Sequence, residues 1–192
     1  MQRETGPFTN PMISRLFRRS KQEATIDALY GMIVAQARSP AFYRDYGVPD
    51  TVTGRLEMIV LHLVLVLRRM KGQGGGEGPP AGQALFDRFC RDIDDNFREM
   101  GVGDLAVPKK MRRMAEGFYG RAQAYETALE GAAGMLESAV ARNVFAIPEP
   151  DGGARRLATY IREVAVRLER WDAGAVSPTG LAFPDPQAVA QP

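Results

Sequence analysis

Apolar residues recur every three to four positions along most of the chain, and no useful stretch alternates with the two-residue period of a strand. Ile26, Leu29, Tyr30, Ile33 and Ala37 share one face of a first helix, which Pro40 must end. The stretch Val52 to Lys71 is different. From Met58 to Leu67 it has no polar face, so it predicts a helix buried on every side, the spine of the fold. Leu85, Phe86, Phe89, Ile93, Phe97 and Met100 form the stripe of a third helix, about Gln83 to Met100. Its outer face pairs Asp87 with Arg91, Arg88 with Asp92, Arg91 with Asp95 and Asp94 with Arg98 at helical spacing. A fourth helix starts at Pro108 and aligns Met111, Met114, Phe118, Ala122, Tyr125 and Leu129. After a break at Gly131 to Gly134, a fifth carries Leu136, Ala139, Val140 and Val144. A sixth carries Leu157, Tyr160, Ile161, Val164, Leu168 and Trp171. The pattern predicts an all-α, single-domain helical bundle of about six helices around a buried central helix.

Between these elements the composition changes. The aromatic linker Phe42 to Thr51 is expected to pack down, with Asp50 or Thr51 capping the spine helix. The glycine-rich run 72–80 reads as a flexible linker. We expect a flexible basic N-terminal segment over 1–20, a helical domain over 21–171 and a Pro/Ala-rich tail over 172–192. Residues 1–11 hold no apolar face and are expected to be dispensable. Met12 to Arg19, an apolar cluster wrapped in arginines, is either a solvated terminus or a contact for an anionic membrane surface.

Composition narrows the classes. The 192 residues suffice for one core, and the net charge of +2 means that attraction to an anionic partner must come from local patches. A single Cys90 suggests a reducing compartment. No apolar run approaches the ~20 residues that span a bilayer. One histidine and one cysteine cannot build a structural zinc site, so His62 reads as a core residue. Glu57, Asp87, Asp92 and Glu99 lack the Glu-x-x-His pairs of di-metal bundles. The glycine run lacks the Lys-Ser/Thr of a phosphate loop, and no nucleophile–base pair is visible. No catalytic residue, metal or cofactor is expected, and DNA is not an expected partner.

The densest chemistry lies between Phe97 and Arg121. Gly101, Gly103 and Pro108 punctuate an elbow between two helices, followed by Lys109, Lys110, Arg112 and Arg113 and then by Phe118-Tyr119-Gly120-Arg121. The expected surface comprises Asp104, Lys109, Lys110, Arg112, Arg113, Phe118, Tyr119 and Arg121. Gly101 and Gly103 would supply backbone angles closed to other residues. Phe118 shares the stripe of Met111 and Met114, so core packing is its simpler account. Met58, Met70, Met100, Met111, Met114 and Met135 could also form an adaptable apolar groove. Three readings stay open: a protein-binding chaperone, an RNA- or ribosome-binding adaptor using the cationic run, and a small-molecule or haem-handling helical bundle.

The order and spacing of Phe42-Tyr43, Gly47-Val48-Pro49-Asp50-Thr51, Gly54-Arg55, Leu61-His62 and Leu85-Phe86-Asp87 resemble the ubiquinol–cytochrome c chaperone family. The likeness continues through Asp92-x-Asp94-x-Asn96-x-Arg98-Glu99-Met100-Gly101-Val102-Gly103-Asp104, Pro108-Lys109-x-Met111 and Phe118-Tyr119-Gly120-Arg121, covering about 42–142. The resemblance implies a non-enzymatic assembly chaperone of the cytochrome bc1 complex (respiratory complex III) that binds newly made cytochrome b. It also implies a cytoplasmic location peripheral to the inner membrane, with contact at the cytoplasmic membrane face. A ribosome contact is known in mitochondrial members. These motifs do not imply it for this chain.

Overall fold

The computed structural model describes the backbone of residues 11–71 and 81–190, with side chains over 21–71 and 81–189. Residues 1–10, the side chains of the basic cluster at 12–19, and the glycine-rich linker lie outside the described residues. Every regular element among them is helical: α1 (Pro11–Ala37), α2 (Pro40–Arg44), α3 (Val52–Met70), α4 (Ala81–Glu99), α5 (Val107–Glu130), α6 (Met135–Val140), α7 (Gly152–Glu169) and α8 (Pro186–Ala190). A wider π-type turn, Ala141–Phe145, continues α6. α1 starts ten residues before the expected domain boundary at 21, so the backbone of 11–20 is helical.

α3 is the spine. Met58 through Val66 are all buried, and Glu57 and His62 are the buried polar residues of the described chain. Fully burying one such Leu or Val is worth about 1.5–3 kcal/mol, so this helix contributes heavily to the core. Thr51 caps it, its Oγ1 accepting from Gly54 N at 3.0 Å. Asp50, the alternative cap, pairs with Arg55 at 2.6 Å instead. Gly54 has to be glycine, because any Cβ there would run into the Pro49 carbonyl oxygen.

His62 is satisfied on both sides. The Met58 carbonyl, 2.7 Å from Nδ1, can only accept, so Nδ1 carries the proton and Nε2 accepts from the Tyr160 hydroxyl at 2.9 Å. Gln36 in turn donates to Tyr160 Oη at 2.8 Å. With no charged partner, burial holds the imidazole pKa down at about 4.

Cross-helix pairs fix the directions. Asp27 meets Arg88 and Tyr30 meets Asp92, so α1 and α4 run parallel. Glu57 meets Arg121 and Arg68 meets Glu130, so α3 and α5 are parallel. His62 meets Tyr160 and Arg69 meets Leu168, so α7 follows α3. Since α4 and α5 form a hairpin, the α1–α3 connection, the α4–α5 elbow and the start of α7 gather at one end of the bundle. At the other end Arg69 caps α7, donating to the carbonyls of Leu168 at 2.8 Å and Trp171 at 2.6 Å.

One sequence expectation holds here and another changes. The Phe42–Thr51 linker does pack down, with Phe42, Tyr46 and Val48 buried, and its first residues form α2. The Pro/Ala-rich segment after Trp171, expected as a tail, packs back on the bundle instead. Ala173 and Leu181 are buried, Trp171 Nε1 donates to Ser177 O at 3.0 Å, and Tyr46 Oη donates to Pro186 O at 2.8 Å. Proline rings are apolar and their carbonyls accept hydrogen bonds, so a segment without helical period can still be held.

Candidate functional site

The elbow is built by local backbone chemistry. α4 ends at Glu99, and Gly101 follows in the left-handed region at φ +77°. Val102 N donates to Phe97 O at 3.0 Å and Gly101 N to Arg98 O at 2.9 Å, the paired bonds of a glycine-terminated helix. Gly103 does not share this conformation. Its carbonyl accepts from Ala106 N at 2.8 Å to start α5, and its φ lies outside the left-handed region. The expectation that both glycines supply angles closed to other residues therefore holds for Gly101 alone.

Met100 was expected on the buried stripe of α4, but it stands beyond the last helical residue and is 61% exposed. Leu105, at the tip of the elbow, is 99% exposed. Arg98 ties the elbow down by pairing with Asp94 at 2.7 Å and Asp104 at 2.6 Å.

Lys109, Arg112 and Arg113 are exposed and make no ion pair among the described residues. Lys110 lies beside them with Nζ 5.4 Å from the centre of the Phe97 ring. The first turn of α5 contains no acidic residue. Lys109 and Lys110 thus stand in the first turn, at the positive end of the helix, where a cation costs roughly 0.3–1 kcal/mol instead of contributing to stability, and Arg112 and Arg113 follow in the next turn. Packing does not require this arrangement. On the outer face of α4, Asp95 and Glu99 are exposed and likewise without ion pairs among the described residues. The tip carries apolar, basic and acidic groups side by side.

The aromatic pair divides. Phe118 is 4% exposed and packs on Phe86 and Phe89, with ring centroids 4.8 and 5.8 Å away. Tyr119, one helical position on, is 60% exposed and leans on Phe86 at 5.6 Å. Only Tyr119 is available at the surface.

Arg121 also turns inward. Its Nε donates to Glu57 Oε2 at 2.6 Å, its Nη2 to Glu57 Oε1, and its Nη1 to Gly117 O at 3.0 Å. The hydrogen bonds to Glu57 hold the guanidinium pKa up against the opposing pull of burial. As a surface contact Arg121 is a correction: a buried carboxylate needs its charge. Sequence reasoning weighed Glu57 only as a metal ligand and missed its pairing with Arg121, although a lone acid entering an apolar helix signals a counter-charge. Tyr125 beside this pair is buried, and the Asn143 side chain is its polar neighbour without a well-formed hydrogen bond between them.

The methionines do not form one groove. Met58 and Met70 are core, Met111 and Met114 are half-buried against it, and Met100 and Met135 are exposed. Among the described residues no three His, Cys, Asp or Glu side chains cluster to hold a metal, and no helix is long and apolar enough to cross a membrane.

Residues 44–183 match the family described as ubiquinol-cytochrome C chaperone, which extends the likeness past Arg142 and into the C-terminal segment. The chain is 26% identical over 139 residues to ubiquinol-cytochrome-c reductase complex assembly factor 1 of Xenopus laevis, covering 71% of this chain and 66% of that protein. It is 25% identical to the counterpart from Mus musculus, covering 100% of this chain and 69% of that one. The chain thus spans about two thirds of the length of these curated relatives. A crystal structure of the Cbp3 homolog from Brucella abortus superposes with a TM-score of 0.75 at 36% identity, covering 91% of this chain and 98% of that one. With the family match running across most of the helical bundle, the chain belongs to the ubiquinol-cytochrome C chaperone family.

Proposed function

We propose that this chain is a non-enzymatic chaperone that binds newly made cytochrome b at the cytoplasmic face of the membrane and supports assembly of the cytochrome bc1 complex. The binding surface is the elbow tip: Leu105, Met100, Asp104, Lys109, Lys110, Arg112, Arg113 and Tyr119. One observation carries this reading. Lys109, Arg112 and Arg113 on the outer face of α5 are exposed and have no ion-pair partner among the described residues, and Lys109 stands in the first helical turn, which disfavours a cation. Exposed Leu105 beside them offers apolar contact, and the nearby Asp95 and Glu99 can meet basic loops. A partner of mixed character, apolar segments joined by charged loops, fits this surface better than a uniformly anionic polymer does. For the same reason the RNA- or ribosome-binding reading is the weaker one.

The test is a charge reversal of Lys109, Lys110, Arg112 and Arg113 to Glu. Exposed charges contribute little to stability, and acids at a helix N-terminus are favourable, so the melting temperature should stay level or rise. Capture of cytochrome b from detergent-solubilised membranes, read by mass spectrometry, should fall, and so should bc1 complex levels in cells. A folded variant that supports normal complex levels would refute the surface and move the search to the Phe42–Thr51 connection. Loss of ultraviolet crosslinks to RNA with client capture intact would favour the adaptor.

A further inference from the structure

The chain from Leu181 to Asp185 has no regular structure and crosses the bundle between α7 and the α1–α2 corner before α8 begins. It lies against a floor of aromatic rings. Phe42 meets Tyr160 at 4.9 Å and Tyr46 at 5.4 Å, and His62 meets Tyr160 at 5.7 Å. Phe183 of the crossing segment stands edge-on to His62 at 5.4 Å. Leu181, Pro184 and Pro186 are buried. Two side chains hold the backbone: Gln36 Nε2 donates to Pro184 O at 2.9 Å, and Tyr46 Oη donates to Pro186 O at 2.8 Å.

The groove uses only a narrow set of groups on its occupant. They are two alternate carbonyls, two proline rings, a leucine and one aromatic ring. The Asp185 side chain faces solvent and accepts only from Gln187 N at 2.9 Å within the segment, so the groove does not read it. Aromatic-lined grooves that take extended proline-rich segments work in this way, because the segment is already ordered and its carbonyls are free to accept. The connection that delivers the segment is bent through two left-handed residues, Val176 at φ +43° and Gly180 at φ +89°. A β-branched residue in that region is strained.

We propose that this groove is a docking site for an extended aromatic-Pro-x-Pro segment of a partner polypeptide, and that the chain's own Phe183-Pro184-Asp185-Pro186 occupies it in cis. Apart from the burial of Leu181, the hydrogen bonds and ring contacts of the strap are ones that the same four residues on another chain would make. The tether gives the strap an effective concentration in the millimolar range, so a partner engages by displacing it. An empty groove would leave the Tyr46 hydroxyl without its acceptor, which keeps the strap seated until a partner arrives.

The test uses full-length protein and a labelled synthetic peptide with the sequence of residues 179–190, followed by fluorescence anisotropy. In a chain carrying Phe183→Gly and Pro184→Gly, shown folded by circular dichroism, the cis strap is weakened. That chain should bind the peptide at least about tenfold more tightly than the unaltered chain. Adding Tyr46→Phe should weaken binding by about fivefold, one hydrogen bond's worth. A folded strap variant that ignores the peptide, or binding indifferent to Tyr46→Phe, would overturn the proposal. Hydrogen exchange on the unaltered chain supplies an independent reading. The amides of Leu181 and Val189 should exchange well before those of α3. Exchange in step with α3, or a strap variant that does not fold, would make the segment a fixed part of the core and overturn it. Concentration-dependent dimers formed through the strap would also do so, by naming a second copy as the occupant.

Discussion

Lowering the pH should attack this fold through one residue. His62 is the only histidine in the chain, it is fully buried, and no anion faces it. Its pKa is pushed down from 6.5 to about 4 by burial. The unfolded chain therefore takes up a proton near pH 6.5 while the folded one resists until about pH 4. The stabilising difference is complete above pH 6.5 and is lost as the pH falls toward 4. Each pH unit inside that window costs about 1.4 kcal/mol, so the loss is about 2 kcal/mol at pH 5 and approaches about 3 kcal/mol at pH 4. A proton on Nε2 would also point at the Tyr160 hydroxyl, which already donates there while accepting from Gln36. Carboxylates confuse the measurement little, because they titrate alike in the unaltered chain and in a His62 variant and cancel in the difference between the two. Urea unfolding at pH 7.5 and 5.0 should show the unaltered chain losing about 2 kcal/mol more than His62→Leu, which has nothing to titrate. Equal losses in the two proteins would show that His62 is protonated in the fold at an ordinary pH and would refute the reasoning.

Two further outcomes follow from the corner between α3 and α5 and from the elbow. Arg121→Ala should cost about 3 kcal/mol, because it strands Glu57 inside the core. Adding Glu57→Gln should return part of that loss, and additive effects in the melting data would show that the pair is not coupled. Gly101→Val forces a β-branched residue to φ +77° and should cost about 1–3 kcal/mol. Gly103→Ala, with open space around the added methyl, should be nearly silent in the same denaturation assay.

Much of the bundle was legible in the order of the residues. The apolar face of α1, the polar-free spine and the stops at Pro40 and at Gly131 to Gly134 follow from periodicity and from residues that cannot continue a helix. What was hidden depends on where separate helices meet. Arg121 reads as a surface cation until Glu57, 64 positions away, is placed against it. Phe118 and Tyr119 are neighbours with the same aromatic character, and the stripe that Phe118 shares with Met111 and Met114 already marked it as the inner one, as its burial against Phe86 and Phe89 bears out. Met100 continues the α4 stripe on paper, but the helix stops one residue short of it. The C-terminal segment shows no period because it is held by proline rings and carbonyls, and the propensity scales behind a helix reading say nothing about those. The exposed cations were legible, since four unpaired charges cannot be buried cheaply. What they bind was not legible in composition or spacing.

The long reach of the strap has a consequence during synthesis. Tyr46 waits for Pro186, 140 positions later, and Gln36 waits for Pro184, 148 positions later. At translation speeds of about 5–20 residues per second, roughly 7–28 s pass between the appearance of Tyr46 and that of its acceptor. Throughout that interval the Tyr46 hydroxyl and the Gln36 amide lack their C-terminal acceptors, and His62 lacks the Phe183 ring that covers it in the finished fold. A nascent chain with this topology needs shelter of its own before it can offer any to another protein. Slowing the ribosome over the last few dozen codons should lower the soluble yield more than an equal pause near the start.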